Sequence, residues 1–149
     1  MSEHSAAVHW SRQGRDFSYA TYSRDHQLRF ENGQSSLASA APDYLGNPEA
    51  LNPETLLIGA LVSCHMLTFL AVCAKRGFVV ESYEDRASGL LGKNADGKMA
   101  ITRITLRPRV LFSGDKQPDA AELGRLHERA HGHCFIAQSV RAEVSVEPA

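Results

Sequence analysis

The sequence predicts an α+β fold, with strands and helices in separate runs rather than a βαβ repeat. Three observations carry that reading. Residues 52–77 form one long apolar run punctuated as a helix at both ends. Segments on either side alternate apolar and polar residues at strand spacing. A shorter amphipathic helical pattern then leads into a last alternating strand. The order is strands, long helix, strand pair, helix, strand. No internal repeat, linker or low-complexity stretch interrupts it. A length of 149 residues with 43% hydrophobic content therefore predicts a single domain spanning 1–149.

Residues 1–15 are mostly polar, with a short candidate strand at Val8-His9-Trp10. Tyr19–Tyr22 and Gln27–Phe30 read as two strands of a hairpin, joined by the turn Ser23-Arg24-Asp25-His26. Asn32-Gly33 marks a further turn. Residues 41–52 contain Pro42, Gly46 and Pro48 and predict an irregular loop.

The long helix follows. Asn52 is a good N-cap, Pro53 suits the first helical position, and Glu54 lies where the helix dipole favours a carboxylate. Lys75 and Arg76 occupy the last turn and Gly77 supplies a left-handed stop, so the helix is expected from about Pro53 to Arg76. Its surface is apolar nearly all round, which means burial in a core or in a bilayer. Gly59, Ser63, His65 and Thr68 break the run near its centre, and an imidazole at a bilayer midplane is costly, so no membrane span is assigned. A helix buried on every side needs more cover than one short chain supplies. It is expected to pack against a copy of itself in a homodimer, with Gly59, Ala60 and Ser63 allowing close approach.

Beyond Gly77, Phe78–Tyr83 opens a strand that Ala87–Leu91 continues or re-enters, and Asn94–Lys98 supplies a hairpin turn. The next strand runs through Ile104, Leu106, Val110 and Phe112, with Arg103, Arg107 and Arg109 on its opposite face. Pro108 cannot donate to a ladder and suggests an edge or a bulge there. Asp119-Ala120-Ala121-Glu122 has the form of a capping box, and Leu123, Leu126, His127 and Ala130 recur at helical spacing. Gly132 interrupts near the end. Val140, Ala142, Val144 and Val146 make a half-buried last strand, closed by Pro148.

The formal charge of −1 offers no basic surplus for nucleic acid. Met1–Ser5 carries no basic-then-apolar leader. Three cysteines without close spacing do not resemble a secreted disulfide framework, and a cytoplasmic protein is expected.

Two of those cysteines invite chemistry. A free cysteine in an apolar helix is most commonly a small buried hydrophobe. Yet Cys64 has Ser63, His65 and Thr68 as polar company, which leaves a reactive thiol open as a second reading. Cys134, in His131-Gly132-His133-Cys134-Phe135, sits at a helix–loop junction beside imidazoles that favour a thiolate. The alternative there is an ordinary helix end with solvated histidines. Two cysteines at such sites could form a redox pair. Cys73 is different. Nine residues beyond Cys64, it falls on the opposite helix face roughly 13 Å away, too far for a disulfide, and reads as core. His127 and His131 share a helix face close to His133 and Cys134, but the spacing matches none of the usual zinc patterns. No metal and no cofactor are assigned.

Asn52-Pro53-Glu54, the Ser63-Cys64-His65-Met66 core of the long helix, and a second cysteine just after a late helix together resemble the OsmC/Ohr family of thiol-dependent peroxidases. The resemblance covers nearly the whole chain. It implies antiparallel sheets around two central helices in an intertwined homodimer, with active sites at the subunit interface. It implies reduction of small organic hydroperoxides, with Cys64 as peroxidatic thiolate, Cys134 as resolving thiol, and a thiol or dithiol as reductant. Glu54 matches the family glutamate that pairs with a thiolate-stabilising arginine. Arg24 resembles that arginine's position in one branch, with Arg29 in reserve. Read from residue type alone, Glu54 is a helix-dipole residue and Arg24 a solvated turn residue. His65 and Phe135 stand where many members have an aromatic residue and a proline, which suggests a divergent branch.

The chemistry implied is coherent. Thiolate attack breaks the peroxide O–O bond, a guanidinium favours the charged thiol, and a carboxylate orients that guanidinium. A second thiol traps the sulfenic acid before further oxidation, and a reductant reopens the disulfide by exchange. Glu54 and Cys64 are about 15 Å apart along a straight helix. Either the helix bends at Gly59 or Glu54 serves the other subunit's site. Two rival readings are a non-enzymatic binder of a small apolar ligand and a metal-binding or purely structural dimer of the same fold.

Overall fold

Residues 6–38 build a three-stranded antiparallel sheet from β1 (Ala6–His9), β2 (His26–Phe30) and β3 (Ser35–Ala38), in that spatial order. Ala6 lies opposite Phe30 and His9 opposite Gln27, while Arg29 lies opposite Ser35 and His26 opposite Ala38. The Asn32-Gly33 turn closes the second hairpin with Gly33 at φ +84°, a conformation that glycine adopts without strain. In this computed structural model, which describes residues 1–149, Met1–Leu56 and Leu57–Ala149 are two compact units.

The hairpin expected from Tyr19–Tyr22 does not form. The amides of Thr21 and Tyr22 both donate to the Ser18 carbonyl, at 3.1 and 2.9 Å. The Ser18 and Thr21 hydroxyls lie 2.6 Å apart, and Thr21 donates to the Asp16 carboxylate. Such local bonds compete with a ladder. The rings of Trp10, Phe17 and Tyr22 also pack together at centroid distances of 5.2–6.5 Å. The partner of β2 on this side is instead β1. Residues 41–52 are irregular apart from the 3-10 turn Pro42–Tyr44 and an isolated bridge between Ala38 and Leu51. Gly46 is required there, since a Cβ would fall 1.6 Å from the Ala40 carbonyl oxygen.

The helix α1 (Pro53–Lys75) starts where expected, with the Thr55 amide donating to Asn52 Oδ1 at 2.9 Å. It stops one residue early. Gly77 is left-handed at φ +77°, and the Phe78 amide returns to the Cys73 carbonyl at 3.0 Å. Burial departs from the expectation. Only the stripe Leu61, His65, Phe69 and Cys73, one residue every four, is buried. Gly59, Ala60, Ser63, Leu67, Ala71 and Ala74 are exposed. By length and composition α1 could cross a bilayer. Ser63 and Thr68 interrupt its apolar centre beside the buried His65.

In the second unit β4 (Val79–Asp85) and β5 (Ser88–Lys93) are separate strands. The single strand expected through 101–112 is also two, β6 (Met99–Leu106) and β7 (Pro108–Ser113), in different sheets. β7 pairs antiparallel with β4. β6 pairs antiparallel with β5 and parallel with β8 (Glu143–Val146). The break falls where Asp85 Oδ1 takes the Arg107 amide at 2.7 Å and Pro108, buried, has no amide to give. The helix α2 (Ala120–His133) is capped by Asp119, whose Oδ1 accepts from the Glu122 amide at 2.7 Å, and it runs through Gly132. A short helix not foreseen from sequence, α3 (Phe135–Ser139), follows at once with Cys134 between the two. Two core clusters result. One gathers Phe69, Cys73, Phe78, Leu126 and Ala130. The other gathers Leu61, Ile104, Leu106 and Cys134, with Cys64 packed against it.

Candidate active site

Cys64, half-buried on α1, packs against the core cluster that holds Cys134, fully buried between α2 and α3, and each thiol shifts the pKa of the other. Because α3 begins directly after Cys134, its first amides, those of Ile136 and Phe135, favour the charged form of Cys64. Thr68 lies one helical turn beyond Cys64. Its hydroxyl bonds the Cys64 carbonyl at 2.8 Å and helps to lower the Cys64 pKa.

The two thiols are pushed in opposite directions. Burial disfavours charge on Cys64, but the Ile136 amide, the Cys134 thiol, the Phe135 amide and Thr68 outweigh it, and its pKa falls below the ordinary 9.0. Burial first, and then the Cys64 thiol, push Cys134 up to about 11. The Cys134 sulfur also accepts from the Ala137 amide at 3.4 Å, capping α3. One member of the pair is thus set up to be the thiolate and the other to hold its proton. Cys73 is buried in the other core cluster, and burial alone raises its thiol to about 11.

The histidines do not converge on a common point. His65 Nε2 and His127 Nδ1 lie 3.1 Å apart, while His133 Nδ1 bonds its own helix at the Arg129 carbonyl, 2.8 Å away. No grouping of three histidine, cysteine or acidic side chains has metal-site geometry.

Within the first unit, Arg24 donates to the Tyr22 carbonyl at 2.6 Å and to the Tyr19 carbonyl, with its guanidinium 3.7 Å over the Tyr22 ring. It makes no ion pair with Glu54. Glu54 keeps Oε2 buried without a hydrogen-bond partner. The carboxylate–guanidinium pair expected from sequence is therefore absent within the chain, because backbone carbonyls and an aromatic face hold the guanidinium. Arg29 is exposed on β2. A cavity of about 530 Å³ opens beside Arg24, walled by Val8, Trp10, Phe17 and Tyr22. The helix α1 passes unbroken through Gly59.

Residues 46–149 match the family model described as OsmC-like protein. The chain belongs to the OsmC-like family. A structure of an OsmC-like protein of unknown function from Vibrio cholerae is 45% identical and is matched over the whole of both chains with a TM-score of 0.95. The organic hydroperoxide resistance protein OhrB of Bacillus subtilis is 18% identical over 99% of this chain and 98% of its own, at a TM-score of 0.71, and shares the fold. Among sequences, the uncharacterized protein YmaD of Bacillus subtilis is 25% identical over 119 residues, 78% of this chain and 79% of its own. In this OsmC-like chain, sequence reasoning missed the amides of Phe135 and Ile136 and the hydroxyl of Thr68. The i,i+4 spacing of Cys64 and Thr68 was the available signal for the hydroxyl. Nothing in residues 135–139 announced a helix.

Proposed function

We propose that this OsmC-like protein is a thiol-dependent peroxidase that reduces organic hydroperoxides through Cys64 and Cys134. The observation that carries the reading is the packing of Cys64 against the cluster of buried Cys134, with the Cys64 thiol lowered and the Cys134 thiol raised. The Cys64 thiolate attacks a peroxide oxygen. An S–O bond forms as the O–O bond breaks, and the departing alkoxide takes a proton to become the alcohol. The Cys134 thiol then attacks the Cys64 sulfenic acid. The S–S bond forms, the S–O bond breaks, and hydroxide leaves with the Cys134 proton as water. Two thiols or one dithiol supply the two electrons that restore both protein thiols and leave as a disulfide, as in the cytoplasm.

The working form in this reading is a homodimer. It is supported by the uncovered α1 face around Leu67, 60% exposed, and by the uncovered aromatic residues of the first unit, among them Phe17 and Tyr19. Glu54, with a buried oxygen lacking a partner, and Arg24 then serve the cysteine pair of a second copy. The fold of OhrB, itself an organic hydroperoxide resistance protein, lends support at the level of architecture.

The test is titration of reduced protein with an alkyl hydroperoxide, followed by mass spectrometry. Two thiols lost per peroxide and a Cys64–Cys134 disulfide are expected. Unreacted thiols would overturn the reading in favour of a non-enzymatic ligand-binding dimer, for which the apolar cavity beside Arg24 is the relevant observation.

A further inference from the structure

A second cavity, of about 270 Å³, lies in the first unit, at the end of the sheet where β2 begins. His9, Gln27 and Leu37 line it and stand in register across the three strands. Side chains alternate between the faces of a sheet. This floor is therefore on the face opposite Val8, which walls the cavity beside Arg24. Trp10 and His26 stand between the two cavities. Phe17 and Tyr19, which the proposed homodimer covers, do not line this one.

Local bonds fix its walls. Trp10 Nε1 donates to the Ser23 carbonyl at 2.8 Å and ties the chain after β1 to the turn before β2. Residues 12–15 form a tight turn. The Arg15 amide donates to the Arg12 carbonyl at 3.0 Å, and the Arg12 guanidinium donates to the Arg15 carbonyl at 2.9 Å. Gln13 and Gly14 are both left-handed, at φ +51° and +71°, as a type I′ turn requires. That conformation is unfavourable for glutamine. The turn holds it nonetheless, and Gln13 and Arg15 both line the cavity.

Two opposite charges line the cavity without pairing. Neither Arg15 nor Asp25 makes an ion pair, with the other or with any third group. Asp25 Oδ2 accepts from Asn47 Nδ2 at 3.2 Å, which leaves Oδ1 for a further donor. His26 Nδ1 donates to the Arg24 carbonyl at 2.8 Å, so Nε2 of the neutral ring is left as an acceptor.

We propose that this cavity binds a free α-amino acid with an aliphatic side chain, its carboxylate on Arg15 and its ammonium on Asp25 Oδ1 and His26 Nε2. A guanidinium matches a carboxylate in two parallel bonds. Asp25 and His26 supply acceptors for an ammonium, which has only donors. Leu37 gives the side chain an apolar wall. The volume holds about nine waters at about 30 Å³ each, roughly the heavy-atom count of leucine. A peptide terminus carries only one of the two charges and leaves the other wall unmatched. The site involves neither cysteine and does not depend on the peroxidase reading.

The test titrates the reduced full-length protein at pH 7.5 with three probes of one carbon skeleton, read by amide shifts in NMR. L-leucine carries both charges, 4-methylpentanoate only the carboxylate, and 3-methylbutylamine only the ammonium. Leucine is expected to bind saturably, about tenfold or more tighter than either one-charge probe. Arg15→Gln, on the exposed turn, should weaken leucine about tenfold or more and leave the amine unchanged. Asp25→Asn should weaken leucine similarly and leave 4-methylpentanoate unchanged. Circular dichroism checks that both variants keep their fold. No saturable leucine shift, a one-charge probe that binds as tightly as leucine, or a leucine affinity that survives both substitutions would overturn the assignment.

Discussion

His65 and His127 stack at an interplanar angle of 8° with ring centroids 5.4 Å apart, and they share one N···N hydrogen bond of 3.1 Å where neither ring meets solvent. One ring must donate and the other accept, so the two rings cannot both be protonated. Burial, and then the neighbouring His131 for His65 and His65 for His127, lower both pKa values from 6.5 to about 4. The unfolded chain therefore binds more protons than the folded one between these values, and stability rises with pH across that window. The contribution is fully present above about pH 6.5 and is lost as pH falls towards 4. Its size is roughly 3 kcal/mol per ring. Denaturant midpoints measured from pH 7.5 downward should fall steeply below pH 6.5. The double substitution His65→Leu and His127→Phe should flatten that slope. An unchanged slope would place the acid sensitivity elsewhere.

The cysteines should separate by substitution. Cys64→Ser is expected to abolish peroxide-dependent thiol loss. Cys134→Ser should leave the first oxidation intact but divert it, so that Cys64 accumulates as sulfinic acid under excess peroxide. Intact mass and peptide mapping distinguish the two outcomes. A disulfide in peroxide-treated protein that joins Cys73 to either partner would contradict the geometry.

Alkylation against pH should resolve the asymmetry of the pair. Cys64 should reach half-maximal iodoacetamide reactivity below pH 9.0, whereas Cys134 should remain unreactive until about pH 11. Thr68→Val should shift the Cys64 midpoint upward, since a group that favours the thiolate is lost. No shift would limit Thr68 to its bond with the Cys64 carbonyl.

Leu67 gives a test of assembly. Leu67→Glu puts a carboxylate in the middle of the uncovered α1 face. It should weaken self-association by at least about a hundredfold, since a buried unpaired charge costs several kcal/mol. The far-ultraviolet circular dichroism of the subunit should persist. Sedimentation equilibrium reads the change, and a chain that is monomeric before the substitution would dismiss the homodimer.

Local punctuation was legible in the residues. Asn52, Pro53 and Gly77 bounded α1 to within one residue at its C-terminus, and Asp119 capped α2 as its pattern required. Non-local choices were not. Tyr19–Tyr22 has strand-forming residues, but Asp16, Ser18 and Thr21 offer a tighter local network. The alternation through 101–112 continues past Pro108, yet the ladder partner changes there from β5 to β4. At the site, the order and setting of Cys64 and Cys134 could be read from the chain. The amides of Phe135 and Ile136 could not, because backbone donors leave no residue signature. The Arg24–Glu54 pair followed family pattern, and within one chain the guanidinium finds nearer carbonyls at Tyr19 and Tyr22.

The Cys134 sulfur caps α3 through the Ala137 amide at 3.4 Å. A sulfur drawn into a disulfide is a weaker, displaced acceptor, so oxidation would remove the cap from a helix only five residues long. Residues 135–139 would then fray in the oxidised protein and anneal on reduction. The exchange rate of a single amide, that of Ala137, becomes a built-in gauge of oxidation state, readable by NMR without a label or an added substrate.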